Sequence, residues 1–251
     1  MKTLLILLGL CLGFAAFADV TPLRERAERA YQAGRHAEAR ETLHRAMRLT
    51  EDPEALASIR ERLGEINLAL LTSRHPQAES AWVEVRSGDT LGRIAAREGT
   101  TVELLRMSNQ IRGDNIRVGQ RLKVIREPFL IRVSKERNEL TLYLGGRFFK
   151  AFPVSTGARD NTPEGEFRII NRIVHPDWWH PESKRMIPYG HPDHRIGTHW
   201  LGWNLPGFGI HGTDEPERLG EPVSLGCVRM HNDEVKVLHD LVPSGTRVIV
   251  E

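Results

Sequence analysis

Cysteine is almost missing from this 251-residue chain: Cys11 and Cys227 are the only two. A clear excess of one charge is missing as well, since 35 Lys and Arg stand against 33 Asp and Glu, for a net charge of +2. That balance falls well short of a nucleic-acid-binding surface, so no nucleic-acid partner is expected. Beyond the first eighteen residues there is no apolar run of membrane-spanning length. The first run, Leu4 to Phe17, follows Lys2 and ends at Ala16-Phe17-Ala18. A positive start, a short apolar stretch and a small-x-small site together describe a signal peptide over residues 1–18. An uncleaved anchor is the alternative reading.

Removal of residues 1–18 would leave Cys227 as a lone thiol in an exported chain, where cysteines usually pair. Two readings stay open on that ground alone: a reactive thiol, or a buried cysteine acting as a small hydrophobe.

The remainder divides by composition. Residues 19–75 are rich in Ala, Arg, Glu and Leu at helical spacing, which predicts three helices. Tyr31, Gly34, Ala39, Leu43 and Ala46 fall as they would in one tetratricopeptide-like helical pair, and a protein partner for this segment is one expectation. A single pair cannot bury its own face, because such arrays need about three repeats. Residues 76–81 are polar and proline-containing, and read as a linker. Residues 82–125 start with an alternating strand, turn at Ser87-Gly88-Asp89, and carry a helix with Leu91, Ile94 and Ala95. Thr100 and Glu103 have capping-box spacing for a second helix, and Arg121 to Ile125 reads as a closing strand. GDTL, Leu105, Asn109, Ile116 and VGQRL within this stretch resemble a LysM domain. The resemblance implies a βααβ fold that binds N-acetylglucosamine-containing glycan of peptidoglycan or chitin. Its ligand loops would be Ser87 to Thr90 and Ser108 to Arg112.

Residues 127–251 are β-rich. Strands are expected at Phe129 to Val133, Glu139 to Leu144, onward to Val154, and at Glu166 to Ile170, Gly209 to His211 and Arg247 to Val250. A helix is expected over Asp233 to Leu241. Asn171 to Pro206 reads as a long irregular lid or binding wall.

Chemistry concentrates in FGIHGTDEPERLGEPVSLGCVRMHN, Phe208 to Asn232. A thiol of ordinary pKa, about 8.5, needs a base or a positive charge nearby to become a nucleophile. His211 is a candidate base, and Gly212 and Gly226 permit the turns that would bring ring and sulfur together. The backbone N–H groups of Gly226 and Cys227 are candidate oxyanion donors. This segment, with VSTG at Val154 to Gly157, TPEGEF at Thr162 to Phe167 and the LVPSGTRVIV ending, resembles the signature of the YkuD-type L,D-transpeptidases. The resemblance implies Cys227 as nucleophile, His211 as general base and acid, the Gly212 carbonyl orienting the imidazole, and Arg229 near the thiol. Asn232 would buttress the turn, while His231 has no assignable role. Leu225 stands where many relatives carry histidine.

It further implies acyl transfer through a thioester on peptidoglycan stem peptides, without a cofactor. The third stem residue would be acylated with release of D-alanine, and a stem amine, an envelope-protein lysine or water would accept the acyl group. Ser224, Trp200 and Tyr189 are candidate substrate contacts; Trp178 and Trp179 could wall the channel, and Lys184, Arg185 or Arg195 could meet stem carboxylates. Two rivals remain. His191-Pro-Asp-His194, with His175, His180 and His199, raises a zinc site, but no HExxH-like arrangement supports it and no metal is expected. A non-catalytic wall-binding scaffold is the second. The overall expectation is a secreted, periplasmic, multidomain α+β protein: a short helical segment, a βααβ LysM domain and a mostly-β L,D-transpeptidase domain.

Overall fold

A computed structural model describes residues 19–181 and 183–251; the expected signal peptide lies outside them. Three helices come first: α1 (Thr21–Gln32), α2 (His36–Met47) and α3 (Pro53–Thr72). Gly34 turns α1 into α2 at φ +72°, and Ala27, Ala30, Ala39, Leu43 and Ala46 bury the small-residue seam between them. The described residues form two compact units divided between Ile59 and Arg60, so the boundary falls inside α3 and not in the expected linker.

Residues 76–81 are also less free than their composition predicts. Gln77 Nε2 donates to the Leu70 carbonyl at 2.5 Å, and Ser80 Oγ accepts from Gln77 N at 2.8 Å. The first LysM strand begins at Ser80: β1 (Ser80–Glu84) pairs antiparallel with β2 (Arg121–Ile125), with α4 (Leu91–Glu98) and α5 (Val102–Asn109) between them. Val85, Leu91, Ile94, Leu105, Leu122 and Val124 fill this small core. The cap of α5 differs from the expected one. Thr101, not Thr100, accepts from Leu104 N at 2.9 Å. Both threonines offer the hydroxyl, and Thr101 stands immediately before the first helical residue.

The β-rich remainder is built on one mixed eight-stranded sheet. Its strands are β3 (Phe129–Ser134), β4 (Glu139–Leu144), β5 (Arg147–Pro153), β6 (Gly165–Val174), β9 (His199–Trp203), β10 (Gly209–His211), β11 (Val228–Arg229) and β12 (Arg247–Val250). The spatial order is β11-β10-β9-β6-β12-β3-β4-β5, parallel at β10/β11 and β12/β3 and antiparallel elsewhere. Asn171 to Pro206 is therefore not one irregular lid: its ends are β6 and β9, paired in the sheet. Only the excursion between them is loop-like, and it carries the small β7 (Trp178–Trp179) and β8 (Met186–Ile187) hairpin. Helix α6 (Asn232–Leu241) packs on the sheet through Val235, Leu238 and Leu241.

Several ties bind the LysM and the end of α3 to this sheet. Leu71 of α3 and Leu104 of α5 belong to the large core, and Thr101 Oγ1 donates to the Asp240 carbonyl. Asn67 Nδ2 donates to the Phe149 carbonyl of edge strand β5 at 2.8 Å, satisfying a group that an open edge would expose. Lys123, fully buried on β2, donates to the carbonyls of Leu70, Leu71 and Ser73 at 3.2, 3.2 and 2.7 Å. These are the carbonyls that a helix leaves unpaired at its C-terminal end.

Candidate active site

Strand pairing assembles the site. His211 at the end of β10 stands opposite Trp200 of β9 and level with Arg229 of β11, while Trp200 stands opposite Ile173 of β6. Side chains opposite one another share a sheet face, so Ile173, Trp200, His211 and Arg229 form one row. The adjacent row runs Asn171, Gly202, Gly209, with Cys227 just before β11 at the Gly209 level. Cys227 and His211 thus come from neighbouring parallel strands, two residues apart in register, on one face. They line one pocket of about 470 Å³ together with Ser224, Arg229 and Trp200. Pro176, Trp178, Trp179, Arg195 and Ile196 from the excursion, with Phe208 and Leu225, complete its wall.

The imidazole is buried and its Nδ1 donates to the Gly212 carbonyl at 2.6 Å. That contact fixes the tautomer and leaves Nε2 carrying the lone pair. Gly212 donates its N–H to the His199 carbonyl at 3.3 Å and packs against the Asn232 amide. Asn232 Oδ1 accepts from Thr198 N at 3.0 Å and its Nδ2 donates to the Thr213 carbonyl at 2.8 Å. A Cβ on Gly212 would stand 2.1 Å from Asn232 Oδ1, so only glycine allows this approach. Burial pushes the His211 pKa down to about 4, with the Gly212 carbonyl opposing and Arg229 and His194 assisting.

Cys227 is half-buried, and its thiol donates to the Gly207 carbonyl at 3.4 Å. Burial pushes its pKa up to about 11, against a Gly209 backbone hydrogen bond and the charge of Arg229. Near neutrality the pair therefore rests as thiol and neutral imidazole. Arg229 Nη1 meets Glu215 Oε2 at 3.1 Å.

The turn before the thiol is built by Ser224. Its Oγ donates to the Cys227 carbonyl at 2.5 Å and accepts from Gly226 N at 3.0 Å. Gly226 has φ +137°, and a Cβ there would lie 2.8 Å from Phe208 Cε1.

A family model for the L,D-transpeptidase catalytic domain, YkuD, matches residues 128–250, and one for the LysM domain matches residues 83–124. The YkuD protein of Bacillus licheniformis, named among the L,D-transpeptidases, is 37% identical over 175 residues, covering 66% of this chain and 96% of that protein. The chain belongs to the YkuD L,D-transpeptidase family. YqjB of Bacillus subtilis, named in the same way, is 40% identical over 130 residues, or 49% of this chain and 71% of that protein.

Within this L,D-transpeptidase fold the expected site residues are partly brought together. Cys227, His211, Gly212 and Arg229 converge. Gly226 does not offer a free oxyanion donor, because its N–H is spent on Ser224, whereas the Cys227 N–H has no acceptor among the described residues. The Ser224 hydroxyl is likewise engaged in the turn and is not free for substrate. Tyr189 lies off the pocket, stacked on His175 with centroids 4.2 Å apart, and Lys184 and Arg185 are not in the wall either. Arg195 is in the wall, paired with Asp214. His231 has a structural place: its ring nitrogen accepts from Asp233 N and caps α6. Among the described residues no three His, Cys, Asp or Glu side chains converge as a metal site. In the LysM, Ser87 to Gly88 are exposed, but Ser108 and Asn109 point inward. Ser108 donates to the Leu71 carbonyl at 3.0 Å, and Asn109 Oδ1 accepts from Lys123 N at 2.7 Å.

The part of the site that sequence reasoning missed is the slot under Trp200. Gly202 and Gly209, which face each other across β9 and β10, are its signal, legible only once register is known.

Proposed function

We propose that this protein is an exported peptidoglycan L,D-transpeptidase that works by thioester acyl transfer. The observation that carries the reading is His211 locked by Gly212 through Nδ1, leaving Nε2 on the pocket that Cys227 lines. Cys227 attacks the carbonyl of the third stem residue while His211 Nε2 takes the thiol proton, and the developing oxyanion receives the Cys227 N–H. His211 then returns the proton to the leaving D-alanine amine. An incoming amine of a second stem repeats the sequence in reverse and closes a 3→3 cross-link. Arg229 holds the electrostatics of the pair, and the Trp178 and Trp179 wall favours an amine over water by limiting solvent. An envelope-protein lysine, or water, is chemically competent as an alternative acceptor.

The LysM concentrates the enzyme on N-acetylglucosamine-containing glycan. It raises local substrate concentration without lowering the chemical barrier. The helical segment would take a protein partner, and the periplasm suits the expected signal peptide.

The test is mass spectrometry of disaccharide-tetrapeptides incubated with residues 19–251, beside Cys227→Ala. Dimers that have lost one D-alanine per link, present only with Cys227, are the expected result. Tripeptides alone would move the reading to carboxypeptidase activity. No Cys227-dependent product with substrate bound would leave a scaffold.

A further inference from the structure

Trp200 is seated with more care than a substrate-facing aromatic needs. Its Nε1–H donates to Asn171 Oδ1 at 3.0 Å, and the same oxygen accepts from Gly202 N at 3.1 Å. The indole then lies over two glycines. A Cβ on Gly202 would stand 2.6 Å from Trp200 Nε1, and one on Gly209 would stand 2.9 Å from Trp200 Cζ2. Both strands are thus cleared of side chains where the ring crosses them. Directly opposite His211 in register, the indole runs nearly parallel to the imidazole, at 17° with centroids 5.8 Å apart.

We propose that Trp200, clamped by Asn171 in the two-glycine slot, is a positioning residue for His211: it forms the wall that fixes the imidazole plane and keeps water from the ring. The Gly212 carbonyl fixes one nitrogen but allows the ring to swing about that bond, and a flat wall removes the swing. The base is buried beside this ring: His211 is 4% exposed while Trp200 is itself half-buried. The groups facing the imidazole are the Gly212 carbonyl, Arg229 on β11, His194 and Asp214 from the flanking loops, and the Cys227 thiol. Of these, Arg229 and His194 continue to disfavour the imidazolium when the wall is removed. Hydration of the ring acts in the opposite direction and raises its pKa from about 4 toward the ordinary value, roughly 6.5. A base must be neutral to accept the thiol proton, so the acid limb of the reaction moves to higher pH.

The inference rests on His211 being the base of the proposed reaction, and the experiment separates the two. Alkylation of Cys227 by iodoacetamide, followed against pH, reads the thiol and imidazole without any wall substrate; kcat and KM on disaccharide-tetrapeptide read the transfer. Residues 19–251 carrying Trp200→Ala, Trp200→Phe or Asn171→Leu are compared with wild type. The alkylation limb is expected to rise by about one pH unit or more in Trp200→Ala and Asn171→Leu, and by less in Trp200→Phe, which keeps a ring in the slot. In the peptide assay kcat falls about tenfold or more while KM stays nearly unchanged. An unmoved limb in a folded Trp200→Ala protein overturns the inference, as does a rise in KM with kcat intact, which would make Trp200 a substrate contact. If Trp200→Ala does not fold, an unmoved limb in Asn171→Leu overturns it equally. A wild-type enzyme that alkylates with the expected limb but never processes tetrapeptide would sink the proposed function and leave the positioning role standing.

Discussion

Asn232 ties two loops to the site through one amide, and its removal should separate stability from catalysis in a measurable way. In Asn232→Ala the N–H of Thr198 and the carbonyl of Thr213 lose partners now at 3.0 and 2.8 Å. A buried polar group left unpaired costs about 1–3 kcal/mol. Thr213 is fully buried and Thr198 only partly so, which lets water recover some of the second loss and places the total at roughly 2–4 kcal/mol. For a folded unit of this size each kcal/mol lowers Tm by about 2–4 °C, so melting should fall by about 5–15 °C. The catalytic loss has a different origin. Gly212 packs against the Asn232 amide and offers His211 its carbonyl, so loss of the amide frees the acceptor that orients the base. A misplacement of about 1 Å costs on the order of a hundredfold in rate. Well below the melting point, kcat on tetrapeptide is expected to drop by about that factor with little change in KM. Differential scanning calorimetry beside steady-state kinetics makes the comparison. A variant that melts early but turns over at the wild-type rate would refute the reasoning, because the Gly212 carbonyl would then be held by other means.

Two further outcomes follow from single positions. Gly226→Ala forces a Cβ into a left-handed backbone 2.8 Å from Phe208 Cε1; strain of roughly 1–3 kcal/mol is expected to lower Tm. Tetrapeptide turnover should fall at least about tenfold with it, and full activity would show that the turn adapts. Burial holds the Lys123 pKa down at about 8 from 10.5, so the unfolded chain binds the extra proton between those values and stability should rise with pH across them. Unfolding free energies of wild type and Lys123→Met from urea titration, compared at pH 7.5 and pH 10, should therefore shift in favour of wild type by up to about 3 kcal/mol at the higher pH, and a pH-independent difference would contradict the assignment.

The proposed chemistry is legible in the sequence where it is local. His211-Gly212 and Ser224 to Arg229 are short segments whose residue types suffice for a nucleophile and a base, and the LysM declares itself through turns and caps inside about forty residues. Features that depend on pairing distant strands were not legible. Asn171 to Pro206 looks irregular because Gly, Pro, His and Trp crowd it, yet the ladder from β6 to β9 overrides weak local propensity. The Trp200 slot requires Gly202 and Gly209 to face each other, a fact of register. The motif points Ser224 and the Gly226 N–H at substrate because it gives residue order but not the direction of each hydrogen bond. The polar composition of residues 76–81 suggested a linker, but Gln77 and Ser80 spend that polarity on one another and on α3.

The placement of Lys123 bears on how far this LysM can be exchanged for another sugar-binding module. A replacement cut at the polar stretch before β1 and after β2 would remove the ammonium that serves the α3 carbonyls of Leu70 and Leu71 and that of Ser73 just beyond the helix, and would take Thr101 and Leu104 from the side of α6. The helix end and the sheet would both meet solvent at surfaces made for contact. In this chain the LysM is also a structural wall of its neighbour, and a functional graft has to bring a lysine in the Lys123 position and the α5 face with it.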